Sequence, residues 1–326
     1  MNILVTGGTG FLGRHLAAAL LERSAKVFLL GRNFAPVEDL LAKGAVPVEA
    51  DLRDGAAVRE ACKGMEVVYH AGALSAPWGK RADFFATNVG GTEALLAGCQ
   101  KYAVRRLVSV SSPSVVFDGG DQFQASEQVA YPRRFTSVYA LTKKLGEDRV
   151  RAASATGLET VILRPKAIFG PGDQTLLPRL ISAARQQRLP QIGDGRNLVD
   201  LTYVGNVVHA LFLAAESSNA VGKTYTITNG EHAPLWEVIR DVLQRLGLRN
   251  QLRAIPLALA LSAASLMEAR SALTGIEPLL TRYSVLILAR TQTYDISAAQ
   301  RELGYTPQIS LADGIARTLE SLKGEA

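Results

Sequence analysis

Short apolar runs rich in β-branched residues alternate, over the first half of the chain, with stretches whose apolar residues recur at helical spacing. The runs predict six strands, at residues 3–6, 26–30, 46–50, 66–70, 106–111 and 160–164. Several runs are apolar on both faces, which is typical of parallel strands covered by helices on each side. The pattern therefore predicts an α/β fold with a doubly wound parallel sheet and a ligand site at the carboxyl ends of the strands.

The pattern changes after Pro165, where loops lengthen, strand-like runs become rare and helical spacing dominates. We therefore divide the chain into a sheet-forming core, residues 1–165, and a smaller, mostly helical C-terminal lobe, residues 166–326. Parts of 201–228 are expected to return to the core. Residues 255–273 form an apolar stretch at loosely helical spacing, for which three roles stay open: a wall for an apolar ligand, a contact with a membrane surface, or packing within the lobe.

Composition and charge narrow the class of protein. Of the 326 residues, 48% are hydrophobic and 20% charged, as in ordinary globular proteins. The net charge of +6 is spread over scattered basic residues, which is typical of a solvated surface and not of a nucleic-acid interface. Two cysteines and four dispersed histidines provide neither a disulfide framework nor a metal site. We expect a cytoplasmic protein without a signal peptide or membrane span.

A glycine-rich loop, TGGTGFLG at 6–13, follows the first strand directly and opens the first helix. Gly7 permits a tight turn, Gly10 lets the backbone approach a pyrophosphate, and Gly13 lets the helix pack closely on the strand. The helix N-terminus then faces the phosphates, so the loop predicts a dinucleotide site. Further candidate cofactor-binding residues in this loop are Thr9, Phe11 and Leu12.

The end of the second strand indicates which dinucleotide is preferred. An NAD-binding chain usually places a carboxylate here to hold the ribose hydroxyls, whereas this chain has Gly31, Arg32 and Asn33. A guanidinium can bind a 2′-phosphate bidentately, so NADP(H) is favoured over NAD(H). Asp51 and Leu52, after the third strand, are candidates for binding the adenine.

A tyrosine and a lysine four residues apart, Tyr139 and Lys143, lie downstream of a serine cluster at 111, 112 and 114. On a helix, this spacing places both side chains on one face. A free tyrosine has a pKa near ~10, and a neighbouring ammonium lowers it. Tyr139 can then exchange a proton with a substrate oxygen while hydride moves at the adjacent carbon. A serine hydroxyl at the end of the fifth strand would orient that oxygen.

These motifs, with HAGA at 70–73, NVGGT around Asn88 and RPKAIFGPGD at 164–173, resemble the extended branch of the short-chain dehydrogenase/reductase superfamily. The resemblance covers nearly the whole chain and implies an NAD(P)-binding Rossmann core followed by a substrate-binding lobe. It implies Ser112 as the substrate-orienting hydroxyl, Tyr139 as acid/base and Lys143 as its activator. Ser111 and Ser114 are alternatives for the serine role, and Asn88 for a proton relay. It further implies that the cofactor contacts Ala71, Ala73, Asn88, Tyr139, Lys143, Pro165, Ala167 and Ile168.

Within that branch, the chain is similar to the 3β-hydroxysteroid dehydrogenase-like proteins, in SSPSVVFDGGD at 111–121 and NLVDLTYVGNVVHA at 197–210. It is most similar to bacterial 2-alkyl-3-oxoalkanoate reductases of olefin biosynthesis, through PWG at 77–79, LLPRL at 176–180 and the segment beginning EPLLTRYSV. The similarity implies a small apolar substrate bearing a ketone or secondary alcohol, with reduction of a 2-alkyl-3-oxo acid as the leading reaction. It also implies a homodimer formed through two core helices.

Three alternatives to that reaction remain open. One is a 3β-hydroxysteroid or sterol-4-carboxylate dehydrogenase. Another is a nucleotide-sugar epimerase, although Val199 stands where such enzymes carry a phosphate-binding arginine, and Pro113 and Ser114 replace the carboxyl pair of the related dehydratases. A non-catalytic dinucleotide sensor is the last, and the retained Tyr139 and Lys143 argue against it.

Overall fold

The computed structural model describes residues 1–324. Its strands are β1 (Asn2–Thr6), β2 (Lys26–Gly31), β3 (Val46–Glu49), β4 (Val67–His70), β5 (Arg106–Val110), β6 (Gln122–Ala125), β7 (Glu159–Pro165), β8 (Ile168–Phe169), β9 (Gln191–Ile192), β10 (Leu198–Asp200), β11 (Thr202–Tyr203), β12 (Thr224–Ile227), β13 (His232–Pro234), β14 (Ala254–Ile255) and β15 (Gln292–Tyr294). Its α-helices are α1 (Phe11–Glu22), α2 (Glu38–Ala42), α3 (Gly55–Glu60), α4 (Arg81–Phe84), α5 (Gly91–Lys101), α6 (Val138–Ala155), α7 (Leu176–Arg185), α8 (Val204–Glu216), α9 (Leu235–Arg245), α10 (Leu257–Thr274), α11 (Arg282–Ala289), α12 (Ser297–Leu303) and α13 (Leu311–Gly324).

A seven-stranded sheet in the order β12-β7-β5-β4-β1-β2-β3 forms the centre of the fold. All of its strand pairs are parallel. The doubly wound sheet predicted from the sequence is confirmed, and its six predicted strands coincide with β1 to β5 and β7 to within one or two residues. Strand order reverses between β1 and β4, and the crevice at such a point is where open α/β sheets bind ligands.

Alternating side chains of each strand enter two different hydrophobic cores. Ile3 and Val5 of β1 pack into the core on one face, together with residues of α1 and α8. Leu4, between them, packs into the core on the other face, with residues of α3 and α5. The strands are therefore buried on both sides, which is why they read as nearly continuous apolar runs in the sequence.

The second half of the chain contains several short strands that the hydrophobic pattern did not predict. A four-stranded sheet in the order β13-β10-β15-β6 joins residues from both halves of the chain. The pairs β8–β11 and β9–β14 are only two residues long on each strand. Runs of two to four residues are too short to show an apolar alternation, so periodicity cannot detect them.

Two elements from the chain beyond residue 200 belong to the sheet-forming core: helix α8 packs on the central sheet and strand β12 is part of it. Helix α8 contacts α1, β5 and β7. Strand β12 pairs in parallel with β7, with Thr224 opposite Ile162 and Ile227 opposite Pro165. Strand β12, which is distant from β7 in sequence, is therefore the edge strand on this side of the sheet.

Helix α10 occupies most of the apolar stretch 255–273. Its small residues Ala260 and Ala264 are fully buried in the lobe core. Leu257 and Leu261 pack partly against the same core. Three other large side chains point outward: Leu259 is 59% exposed, Leu266 74% and Leu273 89%. Packing within the lobe thus accounts for the alanine side of the helix and leaves an exposed apolar side. No helix within residues 1–324 is both long and apolar enough to cross a bilayer.

Candidate active site

The glycine loop predicted at 6–13 forms a tight turn between β1 and α1. Gly7 has a left-handed φ of 65°, and a Cβ there would lie 2.6 Å from the Cα of Gly72, just after β4. A Cβ on Gly13 would lie 2.1 Å from the carbonyl oxygen of Gly7. A Cβ on exposed Gly10 would approach only that same oxygen, at 3.2 Å. The loop therefore packs closely against its neighbours at Gly7 and Gly13, whereas its backbone is exposed and open to a ligand at Gly10; we call this exposed part the bare turn.

This bare turn fits a dinucleotide. Helix α1 begins at Phe11 after Gly10, and no side chain caps its first turn. The free N–H groups of a helix N-terminus provide donors and a positive dipole end for a diphosphate. Thr9 and Phe11 are partly exposed beside the turn, whereas Leu12 is buried in the core. Ala71 and Ala73 flank Gly72 directly across from Gly7.

A chain of buried hydrogen bonds fixes the crevice between β1 and β4. The Thr6 hydroxyl lies 2.7 Å from His70 Nδ1, and His70 Nε2 lies 3.0 Å from the Thr92 hydroxyl on α5. The Thr6 Oγ1 also accepts from the N–H of Gly72 at 3.2 Å. Burial, with a smaller contribution from the Lys143 charge, lowers the pKa of His70 to about 3. The imidazole is therefore neutral and serves as a rigid polar link.

Asn88 lies in a π-helical turn, Phe85–Gly90, that connects α4 to α5. Its Oδ1 accepts from the N–H of Leu74 at 2.7 Å, and its Nδ2 donates to the Leu74 carbonyl and the Thr142 hydroxyl, each at 3.0 Å. Such turns are frequent at functional sites. The side chain of Asn88 is fully used in fastening the loop after β4 to α6, the helix that carries Tyr139.

Tyr139 and Lys143 lie one turn apart on α6, which begins after the capping residue Ser137. Burial raises the pKa of the Tyr139 phenol, and the hydroxyls of Ser75 and Ser112 oppose that shift. The structure thus brings together the predicted Ser112 and Tyr139. The hydroxyl of Ser112 also accepts from the N–H of Ser114 at 3.2 Å, which fixes its rotamer.

The Lys143 ammonium donates to the carbonyl oxygen of Val110, at the end of β5, over 2.6 Å. Burial lowers its pKa to about 8, and Glu147 one turn further along α6 raises it. Lys143 is therefore charged below about pH 8 and is held at the sheet edge beside Tyr139. The predicted lowering of the Tyr139 pKa by this ammonium is not borne out, because burial raises that pKa and the groups that oppose the rise are the hydroxyls of Ser75 and Ser112.

Glu147 belongs to a buried ion pair that joins α6 to β7. Arg164 donates to its two carboxylate oxygens over 2.8 and 2.6 Å, and both side chains are almost fully buried. The Tyr131 hydroxyl donates to the same carboxylate over 2.7 Å. The Arg164 guanidinium, together with the hydroxyls of Ser111 and Tyr131, holds the pKa of Glu147 well below its usual value.

The end of β2 places Arg32 and Asn33 at an exposed edge beside Asp51. The Arg32 guanidinium is 74% exposed and lies 3.5 Å from Asp51 Oδ2. Arg53, which the sequence did not single out, donates to Asp51 over 3.0 and 2.7 Å and lowers the pKa of that carboxyl to about 2. Leu52 lies close to Gly72. Two guanidinium groups and one carboxylate therefore occupy the predicted ribose and adenine end.

The segment after β7, predicted to border the cofactor, is held in an unusual conformation. Ala167 has a left-handed φ of 43°, which a residue with a Cβ adopts only at an energetic cost. Its carbonyl accepts from the N–H of Thr202 at 3.3 Å. Pro165 ends β7 and Ile168 begins β8. Strain of this kind clusters at ligand sites.

Two further residues near Tyr139 were not identified from the sequence. Ser75, in the loop after β4, interacts with the Tyr139 phenol. Tyr283 of α11 also lies near the site. Burial raises the pKa of its phenol, the Tyr139 phenol adds to that rise, and the Ser114 hydroxyl opposes it. No motif marks either position, because they reach the site through loops and lobe packing. The matching segment at 277–285 was the only signal around Tyr283.

Known proteins share this architecture and much of the sequence. The model of the 3-beta hydroxysteroid dehydrogenase/isomerase family matches residues 4–259. A 2-alkyl-3-oxoalkanoate reductase of Stenotrophomonas maltophilia (strain K279a) is 38% identical over 325 residues, covering 97% of this chain and 98% of its own. The mouse sterol-4-alpha-carboxylate 3-dehydrogenase (decarboxylating) is 34% identical over 331 residues, covering 97% and 90%. A double mutant of the dTDP-glucose 4,6-dehydratase DesIV from Streptomyces venezuelae, solved with NAD and DAU bound, is 26% identical with a TM-score of 0.80, covering 99% and 97%.

The family model covers most of the chain, and both sequence relatives are matched over nearly their whole length. The resemblance read from the motifs is confirmed, as is the prediction of an enzyme. The chain belongs to the 3-beta hydroxysteroid dehydrogenase/isomerase family and is an NAD(P)-dependent oxidoreductase of the extended short-chain dehydrogenase/reductase superfamily.

Proposed function

We propose that this enzyme reduces the ketone of an apolar 2-alkyl-3-oxo acid to the secondary alcohol, with Tyr139 as the proton donor. The observation that carries the proposal is the convergence of Tyr139, Ser112 and Lys143 at the carboxyl end of β5, next to the bare glycine turn. Proton donor, oxygen-orienting hydroxyl and ammonium then meet where the fold places a dinucleotide.

In this reaction the bound nicotinamide cofactor supplies the hydride. The Ser112 hydroxyl, fixed by the N–H of Ser114, holds the ketone oxygen within reach of Tyr139. Tyr139 donates its proton to that oxygen as negative charge develops there. The Lys143 ammonium stabilises the phenolate that remains, because it is held at Val110 beside the same helix face.

The substrate class rests on the relatives and on the uncharged residues at three positions of the chain. Of the two sequence relatives above, the 2-alkyl-3-oxoalkanoate reductase has the higher identity, 38%. Val199 is buried in β10, and Pro113 and Ser114 are buried after β5, so no charged group occupies these positions of nucleotide-sugar enzymes. The 34% identity to a sterol-4-alpha-carboxylate dehydrogenase supports a second candidate, a 3-hydroxysteroid or sterol acid.

We further propose that NADP(H) is preferred to NAD(H). The end of β2 carries Gly31, Arg32 and Asn33, and no carboxylate occupies the position that holds the ribose hydroxyls of NAD. The exposed Arg32 guanidinium, with Arg53 nearby, suits a 2′-phosphate.

The test is a substrate panel with the parent protein and Tyr139→Phe, following NADPH absorbance. The panel contains a long-chain 2-alkyl-3-oxo acid or its ester, a 3-ketosteroid and a nucleotide sugar. We expect turnover of the oxo acid series by the parent, and a loss of about 10²-fold or more in Tyr139→Phe with NADPH binding retained. Turnover of the nucleotide sugar alone would refute the substrate assignment. Undiminished activity of Tyr139→Phe would refute the mechanism.

A further inference from the structure

Lys166 is a partly buried cation at the carboxyl end of β7. Its Nζ donates to Gln292 Oε1 over 2.6 Å and lies 5.7 Å from the centre of the Tyr294 ring. It forms no ion pair within residues 1–324. Its backbone is fixed as well, because its N–H donates to the Ile227 carbonyl and its own carbonyl accepts from the Thr202 hydroxyl. Two of the three N–H donors of the ammonium therefore have no acceptor in the part of the chain that the structure describes.

The charged and titratable groups that face Lys166 are already engaged with one another. Asp200 of β10 is fully buried, and its Oδ1 lies 2.6 Å from His232 Nδ1 of β13. Its Oδ2 accepts from the N–H of Tyr294 of β15 at 2.8 Å. Burial lowers the pKa of Lys166 to about 8 against the opposing effect of the Asp200 charge. A desolvated ammonium with free donors is a site for an anion.

Lys166 and the catalytic serine leave the sheet at the same edge. Strands β5 and β7 are parallel neighbours, and the N–H of Ser111 donates to the Leu163 carbonyl over 2.6 Å. Ser112 follows Ser111 directly, and Lys166 follows Pro165, the last residue of β7, so both residues lie just beyond the same edge of the sheet. On the lobe side, Tyr283 interacts with Tyr139, and Tyr294 interacts in turn with Tyr283. With the Lys166 Nζ 5.7 Å from the centre of the Tyr294 ring, the three phenols form a polar wall that leads from Tyr139 toward the ammonium.

We propose that the Lys166 ammonium, oriented by Gln292, binds the carboxylate of a β-oxo or β-hydroxy acid whose C3 oxygen lies at Tyr139 and Ser112. This inference rests on the proposed function and adds the group that would distinguish an acid from a neutral ketone. The alkyl chains then extend away from this polar wall. Gln292 is a positioning residue, since its amide oxygen holds the ammonium without touching the acid.

The test compares a stable 2-alkyl-3-hydroxy acid with its methyl ester in the oxidation direction, by NADPH formation. In Lys166→Met we expect kcat/KM for the acid to fall about 10- to 100-fold, the worth of a charge-assisted hydrogen bond, and that for the ester to change by less than about 3-fold. Lys223→Met is the matched control, because Lys223 is half exposed and pairs with Glu302. It should leave both substrates unchanged.

Measurements on the parent protein test the same inference without a variant. The ratio of kcat/KM for acid to ester should fall as the pH rises past about 8, because the ammonium loses its charge there. A pH-independent ratio, or equal losses for acid and ester in Lys166→Met, would overturn the carboxylate site and leave the proposed reaction standing. Turnover of neither substrate by the parent would overturn both.

Discussion

The charge of a single side chain, Lys143, is expected to set the alkaline limit of the reduction. Burial lowers its pKa to about 8, so it is protonated below that pH and neutral above it. We expect kcat/KM for reduction of a neutral ester to be level below about pH 8 and to fall above it. Using an ester leaves Lys166 out of the comparison.

Lys143→Arg provides the control for this profile. Arginine stays charged over the whole accessible range, so the fall near pH 8 should disappear even if the rate itself is lower. An unchanged alkaline limb in Lys143→Arg would assign that limb to another group.

Arg32 is expected to decide between the two nicotinamide dinucleotides. Its side chain is 74% exposed at the end of β2, and its 3.5 Å pairing with Asp51 Oδ2 leaves the guanidinium accessible to a 2′-phosphate. Arg32→Ala should weaken NADPH binding about 10-fold or more and leave NADH binding within about 3-fold, by fluorescence titration. Equal affinity of the parent protein for both cofactors would contradict the preference.

At this scale, the sequence predicts the residues that belong to contiguous motifs and misses those that do not. Tyr139 and Lys143 are read from a four-residue spacing, since one helix turn brings them together. Ser75 and Tyr283 reach the site from a loop and from the lobe, which no local pattern encodes. Arg53 is missed because its place at the cofactor end depends on Asp51, to which it donates three hydrogen bonds, and no sequence motif marks that pairing.

Among elements, α6 and β7 are joined by the Glu147–Arg164 pair, and its removal should destabilise the fold. Glu147→Gln leaves a buried guanidinium without its counter-charge, which costs about 3–5 kcal/mol. Glu93→Gln is the matched control, because its ion pair with Arg149 is about half exposed and contributes less than about 1 kcal/mol. Urea unfolding measures both, and equal losses would contradict this account.

The same pair has a defined pH dependence. The pKa of Glu147 is lowered in the folded protein, so its stabilisation is fully present above the unfolded value of about 4.3 and is lost as the pH falls below it. The acid limb of the stability curve should therefore be shallower in Glu147→Gln than in the parent protein.

Across the whole molecule, the central sheet could be predicted from the sequence, whereas the strand pairings between the two halves of the chain could not. The six predicted strands are long enough for an apolar run to stand out. Strands β6 and β15 are three or four residues long, and their pairing connects positions near 122 and 292. Such contacts depend on how the lobe docks, which is a property of the folded chain and not of any one segment.

The late position of β12 has a consequence for how the protein is made on the ribosome. Strand β7 is complete at Pro165, but its outer edge is covered only when Thr224–Ile227 has been synthesised. The roughly sixty residues between them take about 3–12 s at the usual elongation rate of about 5–20 residues per second. During that interval the nascent chain carries an apolar strand with a row of unpaired N–H and C=O groups, the kind of edge that recruits other chains. Chaperone demand during biosynthesis should therefore be concentrated in this window, before the sheet closes.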